Sequence, residues 1–485
     1  MIAISNELWN SDTSFELLIY KIILWPLGIW PLNRGEIFSE IRLAATCICL
    51  DIEMWKNCHG FEDKLDIFVL SIFALLACEK GLLVRYHQDK IYSNVVSAVE
   101  DWNKLSIKDN LKNRKIMMQH ARISRIVCIS LMGPASGGTL SWIILALPLP
   151  IFKMENNTDI IRNYPLRTAC IFDSATTSTI YYVIFILQIY QLVATCLGNC
   201  GNDVFFFGLS MHLCGQLEIL KSEFRTLVSE KAIEKNQKRF KMIVKRHIHL
   251  IDLIQKLENA YNLIILSQLV MSSLLICIMG VQIIISMKLG DLFSGIKAGT
   301  VLSSLMSQLF LYSYGGDYLT SQNEELAFAA YESMWYKCPL KTMKNIAFII
   351  SRASKPINIT AGKFVQMTLP TFMDILKLAV SYMSVLPDPE IINSGMQLIY
   401  KKGLKETFSS YEFYPEAIAS GFFDTLIILH KLFPDSKREG MFKLPTLAQN
   451  FLSYNATEQF YEAIYNETNG KSYHGHKKVA RIKIC

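Results

Sequence analysis

Seven runs of about twenty mostly apolar residues constrain this chain more than any other feature, because a helix needs about that many to cross a hydrocarbon core. They occupy residues 38–58, 65–84, 126–152, 177–197, 263–286, 293–314 and 364–386. Hydrophobic residues make up 51% of the chain and charged ones only 19%, against about a quarter charged in an ordinary soluble protein. The surplus is blocked into runs rather than spread at amphipathic spacing. The expectation is an all-α integral membrane protein with seven transmembrane helices. The first run is the least apolar, with Glu40 and Arg42 near one end and Asp51 and Glu53 near the other. Charged side chains at helix ends reach back to the headgroups, so it still reads as a span. The fourth run continues past the membrane through Phe205, Phe206, Phe207 and Leu213.

Lys and Arg in short connections mark the cytoplasmic side. The connection after the second run carries Lys104, Lys108, Lys112, Arg114 and Lys115. The one after the fourth carries Lys235, Lys238, Arg239, Lys241 and Lys245, and the one after the sixth Lys337, Lys341, Lys344, Arg352 and Lys355. The opposite connections hold far fewer: Lys56; then Lys153, Arg162 and Arg167; then Lys288. The amino terminus is therefore expected in the cytosol and the end of the seventh run outside. Basic charge confined to connections between spans gives no nucleic-acid surface. The stretch 235–246 reads as a solvated cytosolic helix, with calmodulin or anionic lipid as its sharper alternative partners.

The start of the chain lacks a basic signal-peptide region, and the apolar segment after it is broken by Pro26 and Pro31, which suits an interfacial segment. Of twelve cysteines, most sit in or beside apolar runs, where cysteine behaves as a small hydrophobe. Cys196 and Cys200 have helical spacing, but Asp203 and His212 stand at no metal spacing, so no metal or other cofactor is expected. Cys58 and Cys170 both face outward in this topology, which leaves a bridge between them open. Asn156-Asn157-Thr158 is a glycosylation sequon on the outer side, at Asn156.

The carboxyl-proximal boxes are more specific than the runs. Tyr331-Glu332-Ser333, Trp335-Tyr336, Lys355-Pro356, Thr360-Ala361-Gly362-Lys363-Phe364 and Ser381-Tyr382 follow one another, with Leu27-Gly28-Ile29-Trp30-Pro31 near the start. In order and spacing, residues 1–386 resemble the insect odorant receptors, whose topology is inverted relative to G-protein-coupled receptors. The resemblance implies a ligand-tuning subunit of an odorant-gated, non-selective cation channel. It would work in a heterotetramer with the family's coreceptor, in the plasma membrane of olfactory sensory neurons. The long second cytosolic insertion of the coreceptor is missing here. Gustatory receptors share the architecture, but their Thr-Tyr…Gln-Phe signature is absent from the last helix; a gustatory-type channel remains the alternative.

By the same resemblance, four copies of the last helix line a pore, with Ser381, Tyr382, Val385 and Leu386 at its outer end and Val385 as the gate. An apolar ring closes a pore by dewetting. Tyr331, Trp335 and Tyr336 fall in a cytosolic anchor that holds subunits together. Small, volatile, apolar ligands need an apolar, aromatic-lined cavity, which the family places in the outer half of the bundle. The residues offered there are Phe73; Ser136, Thr139 and Trp142; Tyr181, Tyr182 and Phe185; and Thr300 and Ser303. Gly133, Pro134, Gly137 and Gly138 make the third run locally irregular, which is tolerated beside a cavity. For any one of these residues, helix packing is the competing explanation.

The composition changes abruptly at Pro387-Asp388-Pro389, and residues 387–485 form an atypical extension of soluble character. Leu426–Leu429 is apolar but far too short to span. An extracellular domain is one reading; a fused neighbouring gene or mis-joined exon explains the sharp boundary better. A transporter would show internal repeats and buried midplane charges, and no repeat is present. An enzyme would need clustered catalytic residues, and the apolar runs offer none.

Overall fold

A computed structural model describes residues 9–32, 61–107, 111–146, 178–227, 233–290, 292–333, 335–355 and 357–385. The first apolar run, Cys58, Asn156, Cys170, Leu386 and the whole extension lie outside the described residues. The helices are α1 (Ser11–Leu24), α2 (Phe61–Tyr86), α3 (Gln88–Ile107), α4 (Leu111–Ala146), α5 (Ser178–Arg225), α6 (Ile233–Leu289) and α7 (Leu292–Tyr331). A 3-10 turn (Trp335–Lys337) and α8 (Leu340–Ala353) follow. Then come β1 (Thr360–Ala361), β2 (Val365–Gln366) and α9 (Leu369–Val385).

Asn10 starts α1, its side chain accepting the Thr13 backbone N–H at 2.8 Å. Gly28, at φ 74°, closes the turn that follows, a conformation natural only to glycine. With 14 residues, α1 is ~21 Å long, short of a span. The helices α5, α6 and α7 have 48, 57 and 40 residues. At 1.5 Å per residue they are ~72, ~86 and ~60 Å long, so each outruns the ~30 Å hydrocarbon core. Stretches of 18 residues within α5 and α6 reach mean hydropathies of 1.7 and 2.3 with at most two charges. In α4, Pro134 removes one backbone donor; the Ser136 hydroxyl donates to the Met132 carbonyl at 2.5 Å and that of Thr139 to Ala135 at 2.9 Å.

Helix α5 is the centre, packing against α1, α2, α4, α6 and α7. Every residue from Gly201 to Leu217 is buried, so the apolar character past the fourth run is that of a core helix covered on all sides. Close approach is possible because Gly208 has no side chain: a Cβ there would lie 2.6 Å from the Tyr20 ring of α1.

The last apolar run differs from its expected bounds. Residues 360–366 form a hairpin, with Thr360 opposite Gln366 and Ala361 opposite Val365, and Gly362 and Lys363 at φ 59° and 68°. The hairpin is pinned to α6: the Gly362 N–H donates to the Asn262 carbonyl at 2.9 Å, and the Thr360 hydroxyl to Glu258 at 2.6 Å. Val365 and Met367 are buried, Met367 beside Gly316 of α7, so part of the run's hydrophobicity belongs to the hairpin. The membrane helix proper begins at Leu369 and rests on α6 and α7.

Candidate functional site

Among the outer-half candidates, Tyr181 and Phe185 are brought together on α5, ring centroids 5.8 Å apart and both buried. Tyr182 stacks edge-on to Tyr181 at 5.4 Å but is 58% exposed. Phe73 is half-buried on α2, and its carbonyl accepts the Asn199 side-chain amide of α5 at 2.6 Å. Thr139 is half-buried and Ser136 exposed on α4. Thr300 and Ser303 are exposed on α7, the Thr300 hydroxyl donating to the Lys297 carbonyl at 2.7 Å. Trp142 lies on the α4 backbone, but its side chain is outside the described ones. The same holds for Ser381, Tyr382 and Val385 on α9.

Phe372, in the first turns of α9, meets Phe310 of α7 edge-on at 5.7 Å. Phe310 begins a ladder along one face of α7, to Tyr314 at 5.8 Å and on to Tyr318 at 5.8 Å. His120 of α4 ends it, stacked on Tyr318 at 6.2 Å. At the expected anchor residues, Tyr331 and Tyr336 are each 61% exposed, and both flank Trp335 at 6.4 and 6.5 Å. Phe328 on α7 and Leu340 and Phe348 on α8 are exposed as well.

Two buried polar clusters join these elements. In the first, the Lys80 ammonium of α2 donates to Asp203 Oδ1 of α5 at 2.6 Å, both side chains fully buried. The Tyr312 hydroxyl of α7 donates to the same oxygen at 2.5 Å. In the second, His212 Nδ1 donates to Glu16 of α1 at 3.0 Å, while Asp101 of α3 lies 3.6 Å from Nε2 as an ion-pair contact. The Trp102 indole also donates to Glu16, and Arg114 grips Asp12 through two bonds of 2.7 Å. His212 lies ~22 Å beyond the end of the fourth apolar run along the helix axis. Burial is the largest influence on its imidazole and pushes it down, but Glu16 and Asp101 together outweigh burial and push it up to about 10. Burial likewise raises Asp101; His212, aided by Arg246 and Lys104, more than offsets it and holds the carboxyl below its ordinary range.

The family model described as 7tm Odorant receptor matches residues 61–380. The chain belongs to this odorant receptor family. It is 28% identical over 254 residues to Odorant receptor 13a of Drosophila melanogaster, covering 49% of this chain and 59% of that one. To Odorant receptor 22c of the same species it is 23% identical over 276 residues, covering 55% and 66%. The matched stretches thus span less than two thirds of either relative. The fold is similar to that of the insect olfactory receptor OR5 from Machilis hrabei, with a TM-score of 0.59, 18% identity, and coverage of 77% of this chain and 97% of that one. The same receptor in complex with eugenol matches equally well, over 78% and 99%. The relatives are membrane-embedded receptors rather than enzymes.

The matched stretch of this odorant receptor contains a polar cavity of about 400 Å³ lined by His120, Glu218, Lys221, Arg225, Tyr318 and Glu325. Its charges pair off: Lys221 donates to Glu325 at 2.5 Å and Gln322 at 2.7 Å. A ligand of low polarity gains nothing there, so the cavity is no substitute for an apolar odorant pocket. Sequence reasoning missed Lys80, Asp203, Glu16 and His212 as a set. Glu79-Lys80 inside an otherwise apolar run was the available signal, since ionisable residues in spans are costly.

Proposed function

We propose that this odorant receptor is a ligand-tuning subunit of an odorant-gated, non-selective cation channel, working with the family's coreceptor in a heterotetramer. The reading places it in the plasma membrane of olfactory sensory neurons, amino terminus in the cytosol. The observation that carries it is the free face of α9. Ile375 is buried against its own chain, while Met373, Asp374 and Lys377 on other faces are exposed. A membrane helix with charged residues on an uncovered face needs neighbours or water there, and a pore built from several copies supplies both. Val385, Ser381, Tyr382 and Leu386 then occupy the outer end of that pore, with Val385 as the constriction.

Two features support the assembly. Phe328, Tyr331, Tyr336, Leu340 and Phe348 are each exposed along the anchor stretch, and large apolar side chains left uncovered supply the surface that a subunit contact would bury. In the outer half, Tyr181 and Phe185, with Phe73, Trp142, Ser136, Thr139, Tyr182, Thr300 and Ser303, supply the aromatic and hydroxyl side chains a small apolar ligand requires. Co-expression with a coreceptor in a heterologous cell, under an odorant panel that includes eugenol, tests the reading. The expected result is a ligand-evoked cation current absent from cells with either subunit alone. Normal surface delivery with no current for any ligand would contradict it.

A further inference from the structure

Asp203 takes two hydrogen bonds from two different helices on one oxygen. Lys80 reaches it from α2 and Tyr312 from α7, at 2.6 and 2.5 Å. Its other oxygen, Oδ2, is buried and has no partner among the described residues. Lys80 also approaches the Asn199 carbonyl at 3.4 Å, and Asn199 donates to the Phe73 carbonyl. The node therefore touches α2 twice, once at a candidate odorant-cavity residue and once about two turns further in. Tyr312 packs its ring on Phe206 at 5.1 Å. One residue pair away on the same helix, Phe310 packs on Phe372 of α9. One turn earlier on α7, Gln308 accepts from Gln268 of α6 at 2.8 Å and donates to Cys200 of α5 at 3.3 Å.

We infer that Lys80, Asp203 and Tyr312 are positioning residues for gating: they hold α7, and through it the pore helix α9, in register with the odorant-cavity helix α2. The inference rests on the channel reading above. A carboxylate in a low-dielectric bundle binds its donors strongly and has two nearly equivalent oxygens. Movement of α2 by a turn fraction transfers one donor from Oδ1 to the empty Oδ2. Such a shift has discrete end points, which is what transmission through packed helices requires. Among the described residues the Tyr312 hydroxyl is what ties the ion pair to α7, so it is the part whose removal separates coupling from folding.

Tyr312→Phe keeps the ring packing and the Lys80–Asp203 pair and deletes that one bond. The readout is the ratio of odorant-evoked to basal current with the coreceptor present, because this ratio is independent of how many channels reach the surface. A hydrogen bond to a charged acceptor contributes enough that the ratio should fall about tenfold. The exchange Lys80→Asp with Asp203→Lys should restore the surface delivery that either single change loses. Because the Tyr312 oxygen can accept from an ammonium at position 203, Tyr312→Phe on this exchanged background should again lower the ratio. A Tyr312→Phe ratio at or above the wild-type value overturns the inference while the channel reading stands. A wild-type chain without odorant current overturns both.

Discussion

Glu16 of α1 and His212 of α5 stand 196 positions apart in the chain and meet at 3.0 Å with both side chains buried. The contact, with Trp102 and the Asp12–Arg114 pair beside it, ties the amino-terminal helix to α3, α4 and α5. Glu16→Gln leaves the His212 cation with a weaker partner. Breaking a buried pair from one side costs roughly 3–5 kcal/mol, so the purified chain should melt at a clearly lower temperature. An unchanged Tm would mean that the Glu16–His212 contact does not hold α1 in place.

The same pair sets a pH dependence. The folded-state pKa of His212 is raised from its ordinary 6.5 to about 10, so the protonated form favours the folded state. Its contribution is fully present below pH 6.5 and is lost as pH rises toward about 10. The difference in Tm between wild type and His212→Gln should therefore be largest at pH 6 and shrink steadily to pH 10. A difference that grows with pH would show that the imidazole is neutral in the fold.

Gly316 of α7 lies against the carboxyl-side arm of the hairpin that carries α9. A Cβ there would meet the Met367 carbonyl oxygen at 2.6 Å and the Ile359 and Met367 side chains at 3.3 and 3.2 Å. The backbone cannot give way as a side chain does, so Gly316→Ala must displace the hairpin, at a cost of about 1–3 kcal/mol. Evoked current per surface channel should drop several-fold. Gly299→Ala on the same helix, with nothing within 4 Å, is the matched control and should be neutral or slightly stabilising. Equal behaviour of the two variants would remove the hairpin from the gating account.

Hydropathy carried the bundle but blurred its edges. Phe364 and Val365 look like the start of a span, yet they belong to a hairpin pinned to α6 by hydrogen bonds, and only the turn residues Gly362 and Lys363 mark the difference. Gly201 to Leu217 carries span-like apolar residues past the end of the fourth run, and it is a helix buried by protein on every side. Both cases arise because lipid and protein core select the same side chains. Tyr181 and Phe185 stand about one turn apart on α5, and their rings meet. The Lys80–Asp203–Tyr312 node was not, because its members come from three helices and each looks like an isolated polar interruption.

Topology is open to a direct check. The Lys and Arg bias of the connections predicts that a tag at Met1 stains only permeabilised cells. Staining of intact cells would invert the proposed arrangement and move the Glu16–His212 cluster to the outside.

The central claim is that this chain itself lines a conducting pore. Val385→Gln, made together with the matched substitution in the coreceptor so that no wild-type helix masks it, places a polar ring where dewetting is proposed. Reversal potentials under sodium and potassium gradients, measured with basal leak at normal surface levels, read the result. The account predicts a raised leak and a shifted permeability ratio; leak, block and permeability all at their wild-type values would contradict it.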